Sequence, residues 1–103
     1  MMQGDSYGLE VTLLDGDGAV ITPDVVTNIE ITIGSLSKTY KDGQVTFSED
    51  SQKWIFPLDQ EETFAFPASR VKAQARVVWA NGGVEGVTLG NINVHESISK
   101  VVL

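Results

Sequence analysis

The chain has 103 residues, of which 42% are hydrophobic and 20% are charged, proportions typical of one soluble globular domain. Its formal charge of -7 disfavours binding to nucleic acids and to anionic membrane surfaces, because both present negative charge to the protein. The absence of cysteine excludes disulfides, thiolate zinc sites and thiol nucleophiles.

The first residues have neither the positive charge nor the apolar run of a signal peptide. Nothing in the chain approaches the roughly 20 apolar residues of a spanning helix. We therefore expect a single domain over residues 1–103 with a flexible tail at residues 1–7, located in the cytoplasm and without membrane insertion.

Residues 9–14 alternate apolar and polar side chains, which predicts a strand with one wet face. Residues 15–18 predict a tight turn, after which residues 19–21 return as a short strand. Asp15, Asp17 and Asp24 suggest a calcium loop, but the spacing lacks the further ligands that such a loop needs. A plain turn is the favoured interpretation.

Residues 26–33 predict a half-buried strand with Ile29, Ile31 and Ile33 on one face. Gly34 and Ser35 are interpreted as a kink or bulge, after which residues 36–40 alternate again. Residues 41–44 are expected to close a hairpin onto residues 45–47, and residues 48–52 form a polar loop.

In the next strand, Trp54, Phe56 and Leu58 share one strongly apolar face. Pro57 lacks an amide hydrogen, which places this strand at a sheet edge or ends it there. Asp59 and Glu62 have the spacing of a helix capping box, so a short helical turn is predicted near residues 59–65. Catalysis by neighbouring carboxylates is a weaker interpretation, because adjacent helical residues point about 100 degrees apart.

The longest predicted strand is residues 70–79, with small and branched side chains on one face and polar ones on the other. Residues 81–83 are a strong turn signal, and residues 84–89 return as its partner. Residues 90–91 are expected to bend the chain before a short run at 92–95 and a final apolar segment at 98–103. His95, the single histidine, is interpreted as an ordinary surface or turn residue.

Short strands separated by turns predict an all-β fold, an immunoglobulin-like sandwich of seven to eight antiparallel strands with one helical turn. The segment 58–66 lies where such folds cross between sheets. A small β-barrel is the alternative.

Several of these segments together resemble a known group of proteins. They are the aromatic strand from Trp54, the run Gln-Glu-Glu-Thr-Phe at residues 60–64, the pattern Val71-x-x-Gln74-x-Arg76-Val77, the glycine hairpin and residues 98–103. This pattern resembles small proteins encoded among the tail and structural genes of phages and prophages of Gram-positive bacteria. It is more distantly similar to the immunoglobulin-like N-terminal domain of phage upper baseplate proteins. The resemblance covers residues 29–103 and implies a role in a virion or its assembly, with other phage structural proteins or further copies as partners.

Three functions then compete. The first is a non-enzymatic structural or accessory protein that acts by protein–protein contact in a phage tail or baseplate. The second is a small carbohydrate-binding or host-surface adhesion module, for which Trp54, Trp79, Tyr40 and Tyr7 would have to be exposed as a stacking platform. Trp54 and Trp79 both lie on the core-facing side of their strands, so they are predicted to be core aromatics. The third, an enzyme, is disfavoured by the lack of cysteine and of a catalytic constellation. No cofactor or metal site is predicted.

The candidate partner interface is the apolar end of the last segment, Ile98, Val101, Val102 and Leu103. An equally weighted interpretation is that this segment is buried as an edge strand of the domain's own sheet.

Overall fold

Two antiparallel sheets, one of three strands and one of four, form the computed structural model, which describes residues 2–4 and 6–93. The strands in chain order are β1 (Tyr7–Val11), β2 (Val26–Ile33), β3 (Leu36–Thr39), β4 (Thr46–Ser48), β5 (Lys53–Leu58), β6 (Arg70–Trp79) and β7 (Val84–Asn93). A 3₁₀ turn, Pro23–Val25, precedes β2, and a short helix, α1 (Gln60–Ala65), lies between β5 and β6.

The strand order is β1-β5-β4 in one sheet and β3-β2-β6-β7 in the other. This order corresponds to the strands B-E-D and C′-C-F-G of an immunoglobulin-like sandwich, and α1 occupies the connection between E and F. The predicted all-β sandwich is therefore confirmed, with seven strands and one helix within the described residues. Strand A, which pairs with B in the full fold, has no counterpart in this part of the chain.

Alternation along the strands fills the space between the sheets, because every second side chain points inward. Ile29, Ile31 and Ile33 of β2 are fully buried, as predicted, and Ala73 and Ala75 contribute small buried side chains from β6. The three-stranded sheet supplies the large side chains from β5, which are Trp54, Phe56 and Leu58.

The turn between β2 and β3 differs from the expected kink or bulge. Ile33 pairs with Leu36, so Gly34 and Ser35 form a two-residue hairpin turn. Gly34 has a φ of 60°, and a Cβ at this position would lie 2.8 Å from a methyl carbon of Val71. Glycine in the first turn position is typical of a type II′ turn, which suits the twist of the two strands.

The prediction of a hairpin closed by residues 41–44 is wrong. β3 and β4 lie in different sheets, and β4 instead pairs with β5, with Phe47 opposite Trp54. The segment between β3 and β4 is a crossing connection, although the amides of Gln44 and Val45 still bond to the Thr39 carbonyl. Alternating strands show which face is buried but not which neighbour they pair with.

Pro57 does not lie on an edge strand, because β5 is central in its sheet. β4 is short, however, and reaches only from Lys53 to Ile55 along β5. Pro57 pairs with Gly8 of β1 and lies beyond the end of β4. No β4 residue lies opposite Pro57, so no hydrogen bond to β4 is lost because proline lacks an amide hydrogen. The proline is tolerated because this part of a central strand has a single neighbour.

β7 is longer than predicted, since it continues through residues 90–91 to Asn93. A register shift in the β6–β7 pairing takes up one extra residue, Leu89, between the pairs Gln74–Thr88 and Ala73–Gly90. This shift is a β-bulge, which lets the strand continue where the sequence suggested a bend.

Residues 2–4, expected to belong to a flexible tail, contact the region around α1. The Gly4 amide donates to Thr63 Oγ1 at 2.8 Å, and Gln3 Nε2 donates to the Phe66 carbonyl at 2.8 Å. These bonds hold residues 3 and 4 against α1 and the residue that follows it.

Candidate functional site

The carboxylate of Asp15 organises the first turn of the chain. Its Oδ1 accepts hydrogen bonds from the amides of Asp17 and Ala19, each at 2.9 Å, while Asp24 lies in the 3₁₀ turn. Within residues 2–4 and 6–93 no three or more histidine, aspartate or glutamate side chains are grouped to hold a metal ion. Residues 15–19 therefore form the predicted tight turn, and the Asp15 side chain accepts backbone amides within it.

The carboxylate of Glu62 serves the start of α1. Asp59 accepts a hydrogen bond from the Glu62 amide at 2.8 Å, and Glu62 Oε1 accepts one from the Asp59 amide at 3.0 Å, which completes the predicted capping box. Lys38 Nζ donates to the same Oε1 at 2.9 Å. Glu62 therefore acts as a structural residue, while its neighbour Glu61 is exposed in the first helical turn.

Trp54 is wholly enclosed by the core. Its Nε1 donates to the Ile21 carbonyl at 2.9 Å, the Tyr40 ring meets it edge-on at 5.2 Å and the Phe47 ring lies at 5.0 Å. The predicted role of Trp54 as a core aromatic is confirmed, and its ring is not available to a stacking ligand.

Trp79 and Tyr40, the residues assigned to ligand stacking in the alternative hypothesis, are both partly buried against the core. Trp79 ends β6, and its Nε1 donates to Glu85 Oε2 at 3.3 Å. Tyr40 follows β3, so β2 lies between the two residues in the sheet order. The fold does not place them side by side on one strand pair.

An apolar patch lies at the β6–β7 hairpin end of the four-stranded sheet, and we call Val25, Val78 and Val84 the hairpin patch. Val84 is 62% exposed and Val25 is 44% exposed, whereas Val78 is partly buried. Val78 pairs directly with Val84, and the Ala80 amide donates to the Val25 carbonyl at 3.0 Å. The sequence carried a signal for this patch, because Val78 is an apolar residue on the otherwise polar face of β6.

The remainder of that outer face is polar. An open groove of about 260 Å³ runs across it, with Glu30 and Arg76 facing each other in the β2–β6 register. Thr32 and Gln74 form the next pair, and Gly86 leaves the β7 side of the groove open. A polar, grooved surface therefore lies on the same sheet as the exposed valines, and an apolar centre with a polar rim is common at protein interfaces.

A second opening, which we call the seam cleft, lies between β1 and β7, where the two sheets meet at one side of the sandwich. It has a volume of about 220 Å³. Its lining includes buried Ile31, Ile33 and Ala73, together with partly buried Leu9, Val11 and Leu89.

Ile98, Val101, Val102 and Leu103, the predicted partner interface, lie outside the described residues, as does His95. Their role as an interface stays a prediction. The side chain of Tyr7, a further aromatic considered for stacking, is likewise outside the description.

No family model matches the chain, and no curated protein or solved structure matches it either. Among the described residues no helix is long and apolar enough to cross a membrane.

Proposed function

We propose that this chain is a non-enzymatic structural or accessory protein of a phage or prophage tail region, assembled in the bacterial host cytoplasm and acting through contact with other tail or baseplate subunits. The phage setting rests on the sequence resemblance across residues 29–103. The mode of action rests on the surface of the sandwich.

The hairpin patch is the observation that carries the proposal. Val84 exposes 62% of its surface beside Val78, on a face that is otherwise polar. Burying the valine surface against a partner stabilises the complex by about 25 cal/mol for each Å² of apolar area removed from water. An exposed apolar centre next to a polar sheet face suits a protein partner that covers both.

A co-purification experiment tests this proposal. The chain is produced together with the products of its neighbouring tail genes, and retention of each product is compared for wild type and Val84→Glu. We expect the partner's affinity to fall about tenfold or more in Val84→Glu, because a charged side chain would be buried at the centre of the contact.

Thr46→Glu is the matched control, because Thr46 is exposed on β4 in the opposite sheet. Equal retention by Val84→Glu and Thr46→Glu would refute a role for the hairpin patch. Neighbouring genes that lack tail, portal or holin functions would refute the phage setting independently of the surface.

A further inference from the structure

Three positively charged side chains lie along the outer face of β6, and we call Arg70, Lys72 and Arg76 the basic stripe. All three are exposed, and they alternate with residues that point into the core. They are three of the seven lysines and arginines in a chain whose formal charge is -7. A large share of the positive charge of this acidic protein therefore lies on one face of the four-stranded sheet.

The basic stripe is not neutralised by carboxylates within the described residues. Lys38 and Lys53 each form an ion pair, at 2.9 and 3.7 Å, whereas no side chain of the stripe forms one in this part of the chain. Glu30 lies opposite Arg76 in the β2–β6 register and still makes no ion pair with it. The three cations are therefore available to the carboxylates of a partner.

The polar groove on this face gives a carboxylate access to Arg76. Gly86 pairs with Arg76 and has no side chain to cover it from the β7 side. Thr32 and Gln74 line the same groove, and their side chains can donate further hydrogen bonds. A guanidinium group binds a carboxylate through two parallel hydrogen bonds, so this part of the groove suits an acidic side chain.

The basic stripe leads into the hairpin patch along the same strand face. Val78 follows Arg76 by two residues and pairs with Val84, which is 62% exposed. From Arg70 to Val78 this face is about 27 Å long, at about 3.4 Å for each residue. A protein partner can bring both acidic and apolar side chains to such a surface, whereas a nucleic-acid backbone offers negative charge alone.

We propose that the basic stripe binds an acidic surface of a protein partner, whose carboxylates contact the stripe while its apolar side chains cover the hairpin patch. This inference rests on the proposed function for the partner being a protein, and it adds the sign of that partner's charge. Complementary charges speed association and select the correct partner, and both effects weaken as salt is added. The formal charge of -7 repels acidic surfaces elsewhere on the molecule, so the stripe also sets the direction of approach.

Titration with poly-L-glutamate tests the stripe without the natural partner. The backbone amides of the full chain are followed by NMR at low ionic strength, for wild type and for Lys72→Gln combined with Arg76→Gln. We expect the signals of β6 to shift in wild type, and the dissociation constant to rise at least about fivefold in the double variant. Both residues are exposed, so neither substitution disturbs the core.

Lys41→Gln combined with Lys53→Gln is the matched control, because it removes the same charge from positions outside the stripe. Lys41 is exposed in the turn after β3, and Lys53 belongs to β5 in the opposite sheet. We expect this variant to change the dissociation constant by less than about twofold. Equal weakening in the two double variants would show that binding follows net charge, and would overturn the proposal.

Other occupants of the stripe would give different results. No shift of the β6 signals at low salt would overturn the proposal. Duplex DNA that binds more tightly than poly-L-glutamate would assign the stripe to nucleic-acid phosphates. A salt-sensitive wild-type dimer that Lys72→Gln with Arg76→Gln dissociates would assign it to a second copy.

The stripe and the proposed function are tested separately. A failed titration would leave the result for Val84→Glu in co-purification standing. Equal retention of tail-gene products by Val84→Glu and its control would leave the titration result standing.

Discussion

At the scale of single residues, Trp54 is the largest fully buried side chain in the described part of the chain. Its indole is enclosed between the sheets, and its Nε1 donates a hydrogen bond of 2.9 Å to the Ile21 carbonyl. Tyr40, which follows β3, and Phe47 of β4 both pack against the ring, so the Trp54 side chain connects β5 to both of these segments. This hydrogen bond matters because an unsatisfied carbonyl in the core is costly.

We predict that Trp54→Phe lowers the free energy of unfolding by about 3 kcal/mol, because it leaves a cavity and removes the donor to Ile21. Urea denaturation followed by circular dichroism measures the change. Trp79→Phe is the control, and we expect it to cost less than about 1 kcal/mol, since that ring is only partly buried. Equal losses in the two variants would contradict the assignment of Trp54 as the central core residue.

At the scale of elements, α1 shows how a short helix is defined at both ends by its own sequence. Asp59 and Glu62 exchange side-chain and backbone hydrogen bonds at its start. Phe66 has extended backbone angles at its end, where Pro67 follows. A helix of six residues would not persist in isolation, so these ends and the packing of the region hold it.

We predict that Asp59→Ala lowers the free energy of unfolding by about 1 kcal/mol, because the Glu62 amide loses its acceptor. Asp59→Asn retains an oxygen at the same position, so we expect a smaller loss. Thermal unfolding of the three proteins gives the comparison. Glu61→Ala, at an exposed position of the same turn, should change stability by only about 0.3 kcal/mol. A loss in Asp59→Asn as large as that in Asp59→Ala would argue against capping.

At the scale of the whole molecule, the two sheets are joined by core packing and by a polar contact along one side. Lys38 of edge strand β3 donates to the Pro57 carbonyl at 2.7 Å and to Glu62 at 2.9 Å. Its ammonium also lies 5.4 Å from the centre of the Phe56 ring. The Lys38 side chain is 13% exposed, so this contact is shielded from water and links the four-stranded sheet to the other layer.

We predict that Lys38→Met lowers the free energy of unfolding by about 2 kcal/mol, because it keeps the aliphatic stem but removes the ammonium donor from the Pro57 carbonyl and the ion pair with Glu62, which keeps only its bond from the Asp59 amide. Lys53→Met is the matched control. Lys53 forms an exposed pair with Glu10 at 3.7 Å, and we expect a change within about 0.5 kcal/mol. Urea titrations measure the free energy of unfolding of both variants. A similarly small change in each would show that Lys38 contributes little to joining the sheets.

The sequence alone determined where most of the strands lie and which of their faces are buried, because alternation with a period of two records the direction of each side chain. It placed the first strand at residues 9–14, where the structure has Tyr7–Val11, and the short strand expected at residues 19–21 is only a bridge between Leu14 and Val20. It also determined the capping of α1, which depends on residues three positions apart. It did not determine which strands become neighbours, so the hairpin expected before Thr46 proved to be a crossing between sheets.

Only the tertiary structure decided how Pro57 is accommodated, how β7 passes residue 90 through a bulge, and where the apolar surfaces lie. The hairpin patch combines Val25, whose carbonyl accepts from the Ala80 amide, with the paired Val78 and Val84, and the seam cleft is lined by β1 and β7, which are far apart in the chain. Such surfaces depend on the pairing of distant strands, whereas local alternation reports only the orientation of each residue relative to its own strand.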